Sequence, residues 1–258
     1  SSSQMFAKKS YALETQDSLG ENNNVSLLGM PIENDWILHG PYTDKTLMRN
    51  SIVFHLGQYV DRYTPRSRYC ELFINDDYRG VYMLMENIKR DENRVDIANL
   101  LPTDTIGDEL TGGYILKIDK LTGDFEGGWV SPYSTVGGEE LYIQFHKPEG
   151  YELHESQIEY IENHISEFED ALASENFTDY ELGYNNYIDI HSFIDLYLIN
   201  ELSKNIDGYR LSTYFYKQKD SNGGEIVMGP WWDYNLSIGN ANYCGGSNTE
   251  GFEVDTEC

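Results

Sequence analysis

The chain has 258 residues, enough for one domain with a two-lobed core. A hydrophobic content of 40% with 14% aromatic residues excludes a disordered chain. With 44 acidic against 18 basic residues the net charge is −26, which disfavours nucleic acid and anionic lipid and suits a solvated surface, bound cations or a basic partner.

Residues 1–40 read as short strands and turns, with strands at Ser10 to Thr15 and Asp35 to His39. Asp44 caps a predicted helix from Lys45 to about Val60, with Leu47, Ile52, Leu56 and Tyr59 on its apolar side. Tyr69 to Ile74 and Gly80 to Glu86, joined at Asn75-Asp76-Asp77, form a β-hairpin by pattern. Arg90 to Leu101 is charged and helical near its end, and Gly112 to Ile118 is a strand. Residues 120–139 are glycine-rich and read as a loop or lobe connector, followed by a strand from Leu141 to His146.

From Glu155 the period changes. Ile158, Ile161, Ile165, Phe168 and Leu172 follow helical spacing, and His164 falls among the polar, surface positions. Asp189 caps a second helix through Ile190, Phe193, Ile194, Tyr197 and Leu198. Ser212 to Lys217 and Glu225 to Met228 are strands around the turn 220–224. A strand-rich first part (about 1–150) and a second part of two helices and a hairpin (about 151–258) predict an α+β fold, one domain with two lobes and a cleft.

Three cysteines without a CxxC pair give no zinc ribbon or thioredoxin-like motif. Cys244 and Cys258 bracket a polar loop, and a disulfide there would stabilise by about 3 kcal/mol in an oxidising compartment. Cys70 reads as a free strand cysteine. No GxGxxG, GxxxxGK[ST], HExxH or GxSxG motif is present.

Two carboxylates stand out because apolar sequence surrounds them. Asp207 lies in Asn205-Ile206-Asp207-Gly208, after a helix, and Asp233 in Trp231-Trp232-Asp233-Tyr234-Asn235, after a strand. A carboxylate beside two Trp residues must be paired, hydrogen-bonded or metal-bound. The intervening hairpin returns the chain, so both can face one point. The alternative is structural, with both as turn formers. The order matches the catalytic half of a protein kinase, where one Asp accepts the substrate hydroxyl proton and a later Asp binds Mg²⁺.

At this level of detail the chain resembles the CotH-type (spore coat protein H) atypical protein kinases. The resemblance runs through Ser2 to Tyr11, Trp36 to Asn50, Asn75 to Glu86, Gly112 to Lys117, Asn205 to Gly208 and Gly229 to Asn240. It implies an atypical protein-kinase-like architecture that transfers the ATP γ-phosphoryl group to Ser or Thr of a protein substrate with Mg²⁺ or Mn²⁺. Asp207 would orient or deprotonate the acceptor hydroxyl. Asp233 would hold the metal, helped by Asn235 and Ser212. Ser212 departs from the family's Asn and Asn235 from its Asp. Lys9 is the first candidate for a phosphate-binding cation, then Lys117 and Arg49, with Glu86 as an ion-pair partner for one of them. The resemblance also implies that the chain is cut short at both ends.

Two other readings stay open. One is a non-catalytic extracellular domain that binds protein, calcium or carbohydrate. The other is a glycosidase using Asp207 and Asp233, which leaves the basic first segment unexplained. No run is apolar enough to span a bilayer and no signal peptide is visible, while the opening Ser1 points to processing, trimming or a fragment. The acidic surface, the paired late cysteines and the family's usual context favour an extracellular or cell-surface location.

Overall fold

A computed structural model describes residues 5–121, 127–135 and 137–256. The first sheet holds β1 (Tyr11–Glu14), β2 (Asp35–His39), β3 (Ser67–Ile74) and β4 (Asp77–Glu86), all antiparallel, in the order β1-β2-β4-β3. The β3–β4 turn is tighter than its sequence suggests. Asn75 and Asp76 sit at φ 49° and 64°, a left-handed pair that Asn and Asp tolerate and that matches strand twist. One face of the sheet buries Trp36 and Leu84 against Met30, and the other brings Met83 and Met85 onto Phe54 of α1 (Arg49–Gly57).

Helix α1 starts later than predicted, because Leu47 at φ 62° interrupts the chain before it. Asp44 still serves its N-terminus: the carboxylate accepts from Thr46 N at 3.0 Å and from Arg49 N at 2.9 Å. The predicted apolar side is the outer one. Ile52, Leu56 and Tyr59 are exposed, while Asn50, Val53, Phe54 and Gly57 face inward. Gly57 decides this orientation: a Cβ there would lie 2.3 Å from Thr64 Cγ2 and 3.2 Å from the Trp231 ring.

Residues 90–101 form no helix. The segment is pinned by Arg94, which is buried, donates to Asn87 O and Asp35 O, and lies over the Trp36 ring. Its guanidinium draws this segment onto the first sheet. The glycine-rich connector is also more ordered than predicted, because it contains β6 (Gly128–Ser134).

The second sheet runs β6-β7-β5-β8-β9, with β5 (Tyr114–Ile118), β7 (Glu140–Lys147), β8 (Thr213–Lys217) and β9 (Ile226–Met228). β5 pairs with β8 from Tyr114↔Lys217 to Ile118↔Thr213. The boundary drawn at residue 150 therefore cuts through one sheet, since strands from both sides of it share that ladder. α2 (Glu155–Ala173) lays Ile161 and Ile165 on Tyr114, Leu116, Phe145 and Phe215. Burying such side chains contributes roughly 2 kcal/mol each. Leu172 projects to solvent, and His164 is half-buried against the rings of Tyr160 and Tyr187 rather than on the surface. α3 (Ile190–Ser203) meets α1 through Ile199 and Val53. The whole is α+β, helices combined with antiparallel sheets.

Cys70 is free, as predicted, and Cys244 is disulfide-bonded. Cys258 and the Ser2-Ser3-Gln4 start of the family-like segment lie outside the described residues.

Candidate active site

Two turns carry the two aspartates, and the sequence of each explains its shape. Asp189 caps α3, accepting from His191 N and Ser192 N, and Lys204 at φ 51° ends it. The chain then coils tightly: Asp207 O accepts from Arg210 N at 3.1 Å and Leu211 N at 2.8 Å. That turn presents the Asp207 side chain to Arg210, 3.0 Å away. The second turn leaves β9 through Gly229-Pro230 and reaches Asp233 at φ 56°, ψ 55°. This left-handed backbone is one Asp tolerates at small cost and β-branched residues do not.

One side chain ties the two turns together. Asn200, fully buried on α3, donates its Nδ2 to Gly208 O at 2.8 Å and accepts at Oδ1 from Tyr234 Oη at 2.8 Å. It thus grips the residue after Asp207 and the residue after Asp233. Gly208 must be glycine for this approach, since a Cβ would stand 2.4 Å from Asn200 Cγ.

Asp207 and Asp233 line the same cavity of about 460 Å³. Its polar end adds Asn235 and Lys120, and its apolar wall includes Ile37, Met85 and Trp232. Phe6 and Tyr42 also line it, their rings stacked with centroids 5.0 Å apart. Burial pushes Asp233 up to about 6, and the charges of Asp207 and Asp119 add to the rise; an Asn235 hydrogen bond and Lys120 oppose it. Asp207 is also raised by burial, against the pull of Arg210 and Lys120. Burial thus disfavours the ionised form of both carboxylates, and a cation held between them would offset that cost. His39, another lining residue, is held down to about 4 by burial, so it is neutral at pH 7.

The other candidates are placed as follows. Asn235 donates to Asp233 Oδ1 and belongs to the cavity. Ser212, at φ 51°, does not line it; the next residue, Thr213, donates its hydroxyl to Gly208 O at 3.2 Å. Lys9 is exposed and contributes its carbonyl, which accepts from Tyr82 Oη, while Lys8 donates to Val81 O. Arg49 pairs with Asp44 and donates to Ile238 O. Glu86 is fully buried and pairs with Arg66 at 2.8 Å, not with Lys9, Arg49 or Lys117. Lys117 stands opposite Tyr214 in the β5–β8 ladder, on the sheet face that meets Trp232, but does not line the cavity.

Sequence reasoning missed Lys120, Asp119 and Asn200. Asp119-Lys120 directly follows β5, and a charged pair at a strand end is the visible signal; Asn200 looks like any polar helix residue. A divalent ion fits the acidic end, since Mg²⁺ takes one or two carboxylates and fills its shell with substrate phosphate and water. Among the described residues no group of three or more His, Cys, Asp or Glu side chains is placed to hold an ion. The oxygen groups there that could take part in holding one are Asp233, Asp207 and the Asn235 amide.

The family described as CotH kinase protein matches residues 1–257. This chain belongs to that family. No curated protein matches this CotH family chain. Among its described residues no helix is long and apolar enough to cross a membrane.

Proposed function

We propose that this CotH family chain is an atypical protein-kinase-like phosphotransferase, moving the ATP γ-phosphoryl group to a protein Ser or Thr. The observation that carries the reading is the convergence of Asp207 and Asp233 on one cavity with an aromatic and aliphatic wall. Ile37, Met85 and Trp232 would pack against the base, and the acidic end would receive the phosphates with Mg²⁺ or Mn²⁺. The ion, when bound, neutralises charge on the phosphate oxygens. Asp207 accepts the proton of the acceptor hydroxyl as that oxygen bonds to the γ-phosphorus and the bond to the bridging oxygen breaks, releasing ADP, with Arg210 holding the carboxylate in place. Lys120 is the cation at the phosphate end, with Lys117 behind it. The oxidised Cys244 supports an extracellular or cell-surface setting.

A second reading, a binding domain without transfer, draws support from Ser212, Lys9 and Arg49 standing outside the cavity. Calorimetric Mg-ATP titration with labelled-ATP transfer assays separates the two. Asp207→Asn should keep nucleotide binding and lower transfer by about 10² to 10⁴. Asp233→Ala should lose both together. Full transfer by Asp207→Asn would sink the catalytic assignment, and wild-type binding without transfer would establish the binding domain.

A further inference from the structure

A second cavity, of about 220 Å³, opens beside the start of β3 and is lined by Gln58, Arg62, Tyr63, Thr64, Arg66 and Arg68. It shares no lining residue with the cavity of Asp207 and Asp233. Three guanidinium groups around one hollow are unexpected in a chain with 18 basic residues and a charge of −26.

The carboxylates that neutralise two of them lie behind, not within. Arg62 donates Nε to Asp195 at 2.7 Å and Nη1 to Asp189 at 2.8 Å, both on or at the cap of α3. Arg66 donates Nη1 to buried Glu86 and to Asn93 O. Among the described residues Arg68 has no carboxylate partner, and its Nη1 donates only to Ser67 O. Tyr63 Oη and Thr64 Oγ1 are already committed, donating to Glu86 and Phe54 O. No carboxylate lines the hollow. It therefore offers free N–H groups of three guanidinium forks, two of them held in fixed orientation by ion pairs. Such forks match the oxygens of a tetrahedral oxyanion, with little ordering left to do on binding.

We propose that Arg62, Arg66 and Arg68 form a binding site for a phosphoryl group. The group is either free phosphate or a phosphorylated side chain of a polypeptide, and the site stands independently of the phosphotransfer reading.

Calorimetric titration of inorganic phosphate into the intact chain, with chelator present and ionic strength matched by chloride, tests it. Wild type should bind saturably. Arg68→Gln should weaken binding about ten- to a hundredfold, the effect of losing a charged hydrogen-bonding partner. Arg79→Gln, which alters an exposed arginine paired with Asp77 elsewhere, should leave it unchanged. If Arg68→Gln does not fold, Arg68→Lys should give a partial loss, because it keeps the charge without the fork. A phosphoserine peptide binding more tightly than phosphate assigns the phosphorylated polypeptide; equal affinity assigns the free ion. Absence of saturable phosphate binding, or undiminished binding by the folded Arg68 variants, would overturn the proposal.

Discussion

Replacing Asp233 by asparagine should stabilise the nucleotide-free protein while disabling it. The carboxyl moves from 3.8 to about 6 on folding, so its ionised form is disfavoured in the folded chain. At 1.36 kcal/mol per pH unit, the difference costs about 3 kcal/mol at pH 8. A raised carboxyl contributes stability that is present below pH 3.8 and lost as pH rises through about 6. Asn cannot ionise, tolerates the φ of 56° at least as well as Asp, and can still accept from Asn235. Asp233→Asn should therefore gain about 3 kcal/mol at pH 8, or roughly 5 °C in Tm for a chain of this size. The gain should shrink to about 1 kcal/mol at pH 4.5. Urea unfolding of both proteins at the two pH values, with chelator, measures it. Equal or lower stability of Asp233→Asn at pH 8 would refute the claim that the site is held at an electrostatic cost.

His39, His146 and His164 are each held down to about 4 by burial. Their unfolded forms bind protons from pH 6.5 downward, so wild-type stability should fall as pH drops from 6.5 toward 4, by about 2 kcal/mol each at pH 5 against roughly 1 returned by Asp233. Unfolding midpoints that stay level between pH 7.5 and 5 would contradict this. Asn200→Leu strands Gly208 O and Tyr234 Oη together and should cost about 3 kcal/mol. It should also weaken Mg-nucleotide binding, which a purely local loss would leave intact. Glu86→Ala removes the carboxylate that Arg66 and Tyr63 share and should cost about 3 to 5 kcal/mol in urea unfolding. A loss below 1 kcal/mol would show that the pair is dispensable.

Both long helices were legible as helices, α2 from its periodicity and α3 from its Asp189 cap, although Ile190, Ile194, Tyr197 and Leu198 of α3 are exposed while Ser192, Ile199, Asn200 and Ser203 face inward. Helix α1 was misread at its faces. Its inner side uses Asn50 and Gly57, a polar residue and a glycine, which no hydrophobic count selects. β6 was hidden for a related reason. Gly128 meets the Ile143 backbone so closely that a Cβ would lie 2.1 Å from its carbonyl, so glycine marks a close strand pairing there rather than a loop. The aspartate pair was legible because carboxylates embedded among Trp and Ile need a reason to be there. The cations were not. Which lysine reaches the cavity depends on where β5 ends against β8, a pairing that local sequence does not encode.

That pairing also bears on how the molecule comes into being. β5 and β8 lie about a hundred residues apart in the chain, yet they are neighbours in the ladder that places Lys120 beside Asp207. Closing so long a loop is entropically unfavourable and brings reward only after α2 has formed and packed. The site should consequently be among the last features to mature. On a ribosome the cavity could not assemble until the segment through β8 and Asp233 had emerged, long after β5. In refolding kinetics, recovery of nucleotide binding should lag behind the helical signal of α2.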